Sequence, residues 1–155
     1  MGKKKSTEEL ENILNSTHME NAASFLADNS DSLIDGDRVF SEYFKNLLKE
    51  KKMKQQDVFL SADIPERYGY KLLSEEKRTR QRDVILRLCY AAGFTLEETQ
   101  EALKLYRFPE LYAKIPRDAF IMIAFNQRKD GIAEINSFLA ENKMSPLYEV
   151  GEQEI

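Results

Sequence analysis

The residues best equipped for chemistry are crowded into one stretch, 54–82, which reads KQQDVFLSADIPERYGYKLLSEEKRTRQR. Arg67 and Lys71 are four residues apart, so on a helix they share one face. An arginine so placed can bind a guanine edge through two hydrogen bonds, worth about 1–3 kcal/mol of discrimination. Lys77, Arg78 and Arg80 follow closely and can neutralise phosphates, each adding roughly one unit to the salt dependence of binding. Other chemistry is harder to assemble. His18 stands alone in a polar segment. The carboxylates Glu75 and Glu76, like Glu97 and Glu98, are chain neighbours and do not converge on one point as acid–base work requires. Cys89 sits beside Leu88 in a helical pattern, which suits an inert buried thiol. No phosphate-cradling glycine loop, CxxC pair or serine elbow is present. These features predict a binding protein rather than an enzyme, with no catalytic residues and no metal or other cofactor.

Helices must position these groups, and the chain is punctuated for helices throughout. Ser6 and Glu9 form a capping box that opens a short helix through Leu14. A polar, acidic stretch, 15–37, follows, with one apolar island at 22–26. Phe40, Phe44, Leu47 and Leu48 then share one helical face, ended by the solvated run 49–52. A second short helix is expected over 55–61, with Val58 inward. Pro65 suits the first turn of the next, 65–73, where its missing N–H is unpaired in any case. A further helix, 81–92, puts Val84, Ile85, Leu88 and Ala92 on a stripe and stops at Gly93. Thr95 and Glu98 form a second capping box, opening a helix through Tyr106. Residues 107–117 contain two prolines and read as a loop, after which Asp118 is expected to cap an apolar helix through Phe125. A last helix starts at Gly131 and ends before Pro146. No segment alternates with strand period, so the fold class is all-α.

Charge singles out the middle of the chain. The formal net charge is −4, yet residues 36–93 carry 13 Lys/Arg against 9 Asp/Glu, while each flank is acidic. Positive charge concentrated there is the footprint expected of a nucleic-acid face. One cysteine rules out an intrachain disulfide and fits a reducing compartment. The longest apolar run, 119–125, is far short of the ~20 residues of a membrane span. Nor does an apolar segment follow the basic start to make a secretory signal. A cytoplasmic protein without a membrane partner is expected.

Five short helices with a tight turn between the second and third resemble the lambda-repressor/Cro-like, Xre-type helix-turn-helix regulators. The resemblance is carried by Gln55, Val58, the turn residues Ala62, Asp63 and Ile64, Leu72, and the AAGF–TLEE join at 91–98. It covers about 40–106. The segments IPERYGYKLLSEEK (64–77) and LYAKIPRDA (111–119) are also similar to a group of bacterial regulators of this type. The resemblance implies sequence-specific binding to double-stranded DNA, with a recognition helix at about 65–73 in the major groove. Gln55 and its neighbour Gln56 fall at the phosphate-clamping start of the second helix. Glu66 and Arg67 reach base edges, Lys71 lies one turn on, Tyr68 can pack against a sugar or methyl group, and Ser74 meets phosphate. Lys77, Arg78 and Arg80 complete the expected DNA-binding set.

Four residues depart from the family pattern. Phe59 stands where a small residue is usual, and Asp63 replaces the turn glycine. Gly69 replaces an apolar residue inside the third helix, and Glu75 replaces the glycine after it. Phe59 and Gly69 are expected to compensate, the ring filling the room a side chain at 69 would take. Glu66 would repel phosphate unless it accepts from cytosine. The expected organisation is an acidic, partly ordered arm (1–37), a helix-turn-helix domain (38–94), a C-terminal helical extension (95–148) that can pair two copies, and a frayed tail (149–155). The alternative is the same fold serving as a protein-interaction module or adaptor without strong DNA binding.

Overall fold

In the computed structural model, which describes residues 4–33, 39–128 and 131–155, the described residues form nine α-helices and no strand. They fall into two compact units, 1–37 and 38–155. The first contains α1 (Thr7–Asn15), a 3-10 turn (Met19–Asn21) and α2 (Ala22–Asn29). Its capping box is formed: the Glu9 N–H donates to Ser6 Oγ at 3.1 Å and the Ser6 N–H to the Glu9 carboxylate at 3.2 Å. The apolar island expected at 22–26 is the first part of α2. The Lys5 N–H donates to Ser32 Oγ at 2.8 Å, closing the unit end to end.

The second unit holds α3 (Val39–Glu50), α4 (Gln55–Ala62), α5 (Glu66–Leu73), α6 (Arg82–Ala91), α7 (Leu96–Leu105), α8 (Pro116–Gln127) and α9 (Ile132–Glu141). At its centre lies α6, packed on α4, α7 and α9. An amphipathic stripe was expected there, but all of 84–90 is buried, Arg87 and Cys89 included. A helix surrounded by three others has no solvent side to leave polar. Burial pushes the Cys89 thiol far above its ordinary pKa, in keeping with an inert group. Around α6 the aromatic core closes in tilted and edge-on pairs, Phe40 with Tyr106 at 4.8 Å and Phe44 with Phe94 at 4.6 Å between ring centres.

Two junctions differ from expectation. Helix α8 begins at Pro116, not after a cap at Asp118, because Pro at the first position suits a helix start. Asp118 is a buried member of the first turn, accepting from both terminal nitrogens of Arg82 and from the Tyr112 N–H. Arg117 answers in kind, donating to both oxygens of Asp83 at 2.8 and 3.1 Å. Each Arg–Asp dipeptide, one at the start of α6 and one at the start of α8, thus grips the other crosswise. The second difference is the C-terminus. Buried Arg87 donates to the carbonyls of Leu147 and Tyr148 and, on its other side, to that of Ala62 at the end of α4. Residues 147–148 are therefore pinned, through Arg87, to the end of α4. The tail beyond, expected to be frayed, carries a 3-10 turn (Glu152–Glu154), with the Tyr148 hydroxyl donating to Glu154.

The second capping box forms as expected. The Thr95 N–H donates to Glu98 Oε1 at 2.9 Å, and Lys51 Nζ, at the end of α3, reaches the same oxygen at 2.9 Å. Burial alone would raise the Glu98 pKa, but the Thr95 N–H and the Lys51 ammonium outweigh it and hold the carboxyl below its usual range. A depressed folded-state pKa contributes stability above the ordinary carboxylate value, and that contribution disappears as pH falls through the folded value. Glu98→Gln should accordingly lose less stability than the wild type between pH 7 and pH 3, as read from urea midpoints at each pH.

Candidate nucleic-acid interface

The candidate site is built on the α4–α5 pair. Helix α4 ends in a left-handed residue, Asp63 at φ 56°, where the Ile64 N–H bonds to Phe59 O and the Asp63 N–H to Leu60 O. This closure satisfies two carbonyls that the helix end leaves open, and aspartate adopts the conformation more readily than most non-glycine residues. The turn throws α5 across α4 with its backbone hard against Phe59. A Cβ built on Gly69 would lie 2.4 Å from Phe59 Cδ1, so the ring occupies the space a side chain at 69 would need. The expected compensation is therefore present.

This crossing fixes which face of α5 looks outward. Glu66, Arg67 and Tyr70 are exposed and Lys71 half-buried, while Tyr68 and Leu72 point inward. Tyr68, expected as a possible DNA contact, is only 3% exposed and faces Thr79 from inside the core. It belongs to the core, and Tyr70 takes its place outside, its ring edge-on to Phe59 at 4.9 Å. Of the glutamines, Gln55 is half-buried at the first position of α4, and exposed Gln56 donates across the turn to Glu66 at 3.4 Å.

The basic loop is less available than its composition suggests. Arg78 donates to Glu75 and to the Tyr106 carbonyl, and its guanidinium lies 4.0 Å from the centre of the Tyr106 ring. Glu75 also accepts from the Ser41 N–H in the first turn of α3, at 3.4 Å. These two bonds give the Glu75 carboxylate a structural role. Glu75 still stands at φ 60°, and α5 ends at Leu73 without an added turn. Arg82 is held by Asp118. The Ser74 hydroxyl serves its own helix end, donating to Lys71 O and accepting from the Glu76 N–H. Of the expected DNA-binding cations, Arg67, Lys71, Lys77 and Arg80 have no ion-pair partner among the described residues.

A groove of about 530 Å³ at the start of α4 adds cations that the sequence reading passed over. Lys45 and Lys49 of α3 and Lys54 at the α4 cap wall it, with Gln55 and Tyr70. Lys54 makes no side-chain cap, so no side chain of the cap residue masks the first amides of α4. Lys45 and Lys49, four residues apart, share one helical face, but in sequence Lys49 reads as part of the solvated end of α3. Only the packing of α3 beside the α4–α5 pair sets them on one groove with Lys54. Among the described residues no group of three or more His, Cys, Asp or Glu side chains is arranged to hold a metal, and no helix is long and apolar enough to cross a membrane. No family model matches this chain, and no curated protein or solved structure matches it.

Proposed function

We propose that residues 38–94 form a lambda-repressor-like helix-turn-helix domain of the Xre type that binds double-stranded DNA sequence-specifically and acts in transcription regulation, with α5 in the major groove and residues 95–148 as a helical extension. The observation that carries this reading is the lysine-walled groove at the start of α4, which shares Gln55 and Tyr70 with the helix pair. A phosphate held by three ammonium groups and a helix N-terminus would fix the register of α5, leaving Arg67 and Lys71 to meet base edges. Lys77 and Arg80 add phosphate contacts from the loop after α5, whereas Arg78 serves mainly to fasten that loop. A single module buries little surface on DNA, so two copies are expected to act together. Helix α8 and the residues before it offer the exposed apolar side chains Tyr112, Ile115 and Ile123 for pairing.

Selection from random duplex DNA followed by titration at several salt concentrations tests the reading. Lys45→Ala, Lys49→Ala and Lys54→Ala should each weaken binding to all sequences and reduce the salt slope by roughly one. Arg67→Ala should relax base preference, and Tyr68→Phe should leave binding unchanged. Failure of the wild-type protein to enrich any sequence would overturn the proposal. The second reading, a protein-interaction module, is favoured by one observation: the carboxylates Asp57 and Glu66 stand on the α4–α5 pair itself.

A further inference from the structure

A second groove, of about 710 Å³, opens beside the α4–α5 turn and is closed on one side by the C-terminal residues Glu149 and Val150. Its floor is apolar, formed by Phe59 and Ile64, and at its rim Leu60 is 81% exposed on a short helix that otherwise buries its large apolar groups. Four carboxylates surround that apolar surface: Asp57, Asp63, Glu66 and Glu149. No lysine or arginine lines it. Arg87 lies beneath, where burial disfavours its charge more than Asp63 and Glu149 favour it; its nitrogens are taken by three backbone carbonyls and it is 2% exposed. Asp57, Asp63 and Glu149 have no ion-pair partner among the described residues. Among the described residues Glu66 is met only by the neutral amide of Gln56.

An apolar floor under unpaired like charges is unfavourable to leave empty on both counts, and one class of ligand relieves both. We propose that this groove docks a short segment of a partner protein in which lysine or arginine alternates with aliphatic side chains. The aliphatic groups would cover Leu60, Phe59 and Ile64, and the cations would meet the four carboxylates at the rim. Long lysine and arginine stems suit such a boundary, since they lie along apolar surface while the charged head reaches a carboxylate. Free cations fit less well. A polyamine lacks branched apolar groups, and the carboxylates are not gathered as metal ligands. The proposal stands independently of DNA binding, because its test contains no DNA.

The test uses the full-length protein and a fluorescein-labelled octapeptide alternating lysine and leucine, followed by anisotropy. Binding is expected, weakening at least tenfold in the double variant Asp57→Asn, Glu149→Gln and about fivefold in Leu60→Ser. Lys45→Ala, on the other groove, should leave it unchanged. All these side chains lie at the surface, and circular dichroism would verify that the variants fold. Replacing the peptide leucines by serine should abolish binding. Equal binding of the serine peptide, insensitivity to the groove variants, full displacement by spermine, or occupation of the groove by a second copy with loss of peptide binding on dimerisation would each overturn the proposal.

Discussion

Gly69→Val is expected to destabilise the protein by about 3 kcal/mol, and Phe59→Ala by about 3–5 kcal/mol, yet the two together should cost markedly less than their sum. The first forces a side chain into a ring 2.4 Å away, and the second empties a site in which the ring is 1% exposed. Combined, they exchange which of the two positions carries the bulk, and the new side chain fills part of the space the ring vacates. The coupling energy, from a urea-unfolding double-mutant cycle, should be about 2 kcal/mol or more in favour of the double variant. Additive costs would mean that α5 shifts as a whole rather than meeting Phe59. Because the ring also supports Tyr70, the double variant should loosen that side chain, a change visible in the tyrosine's NMR line widths.

Arg87→Met should cost about 3–5 kcal/mol although methionine fits the volume, because it strands the Ala62, Leu147 and Tyr148 carbonyls, which now accept at 3.2, 2.9 and 2.7 Å. Arg87→Lys should recover only part of this, since one ammonium cannot span both sides of α6 as a planar guanidinium does. Thermal unfolding of the three proteins at a single pH checks the order wild type, lysine, methionine. Hydrogen exchange should show the amides of 147–150 opening first in Arg87→Met, with those at the end of α4 following.

Both expectations concern places where sequence and structure meet unevenly. The α4–α5 crossing was legible because Phe59 and Gly69 depart in opposite senses from the helix-turn-helix pattern the sequence resembles, one too large and one too small. The two capping boxes were legible because their chemistry is local, three residues apart. What escaped depended on neighbours remote in the chain. Tyr68 and Tyr70 are two residues apart and point to nearly opposite sides of a helix, so which of them is inside depends on how α5 rolls on α4. Phe59 settles that roll by claiming the Gly69 side. Asp118 reads as a helix cap in isolation, and only the proximity of Arg82 makes it one end of a buried ion pair. The lysines of α3 likewise read as a solvated end until packing sets them beside Gln55. The loop 77–82 was the reverse case: rich in cations as text, but with Arg78 and Arg82 already engaged.

The crosswise grip of Arg82 on Asp118 and of Arg117 on Asp83 has a consequence for descent. Losing one member strands a charge, and in the case of Arg82 that charge is an aspartate 1% exposed, so the four positions are not free to drift one at a time. Lineages that keep the extension docked in this way must retain both dipeptides or exchange them jointly, whereas lineages that shed or re-dock it are released from the constraint. Correlated change at these four columns would therefore mark, from sequence alone, which descendants still carry their last two helices against α6.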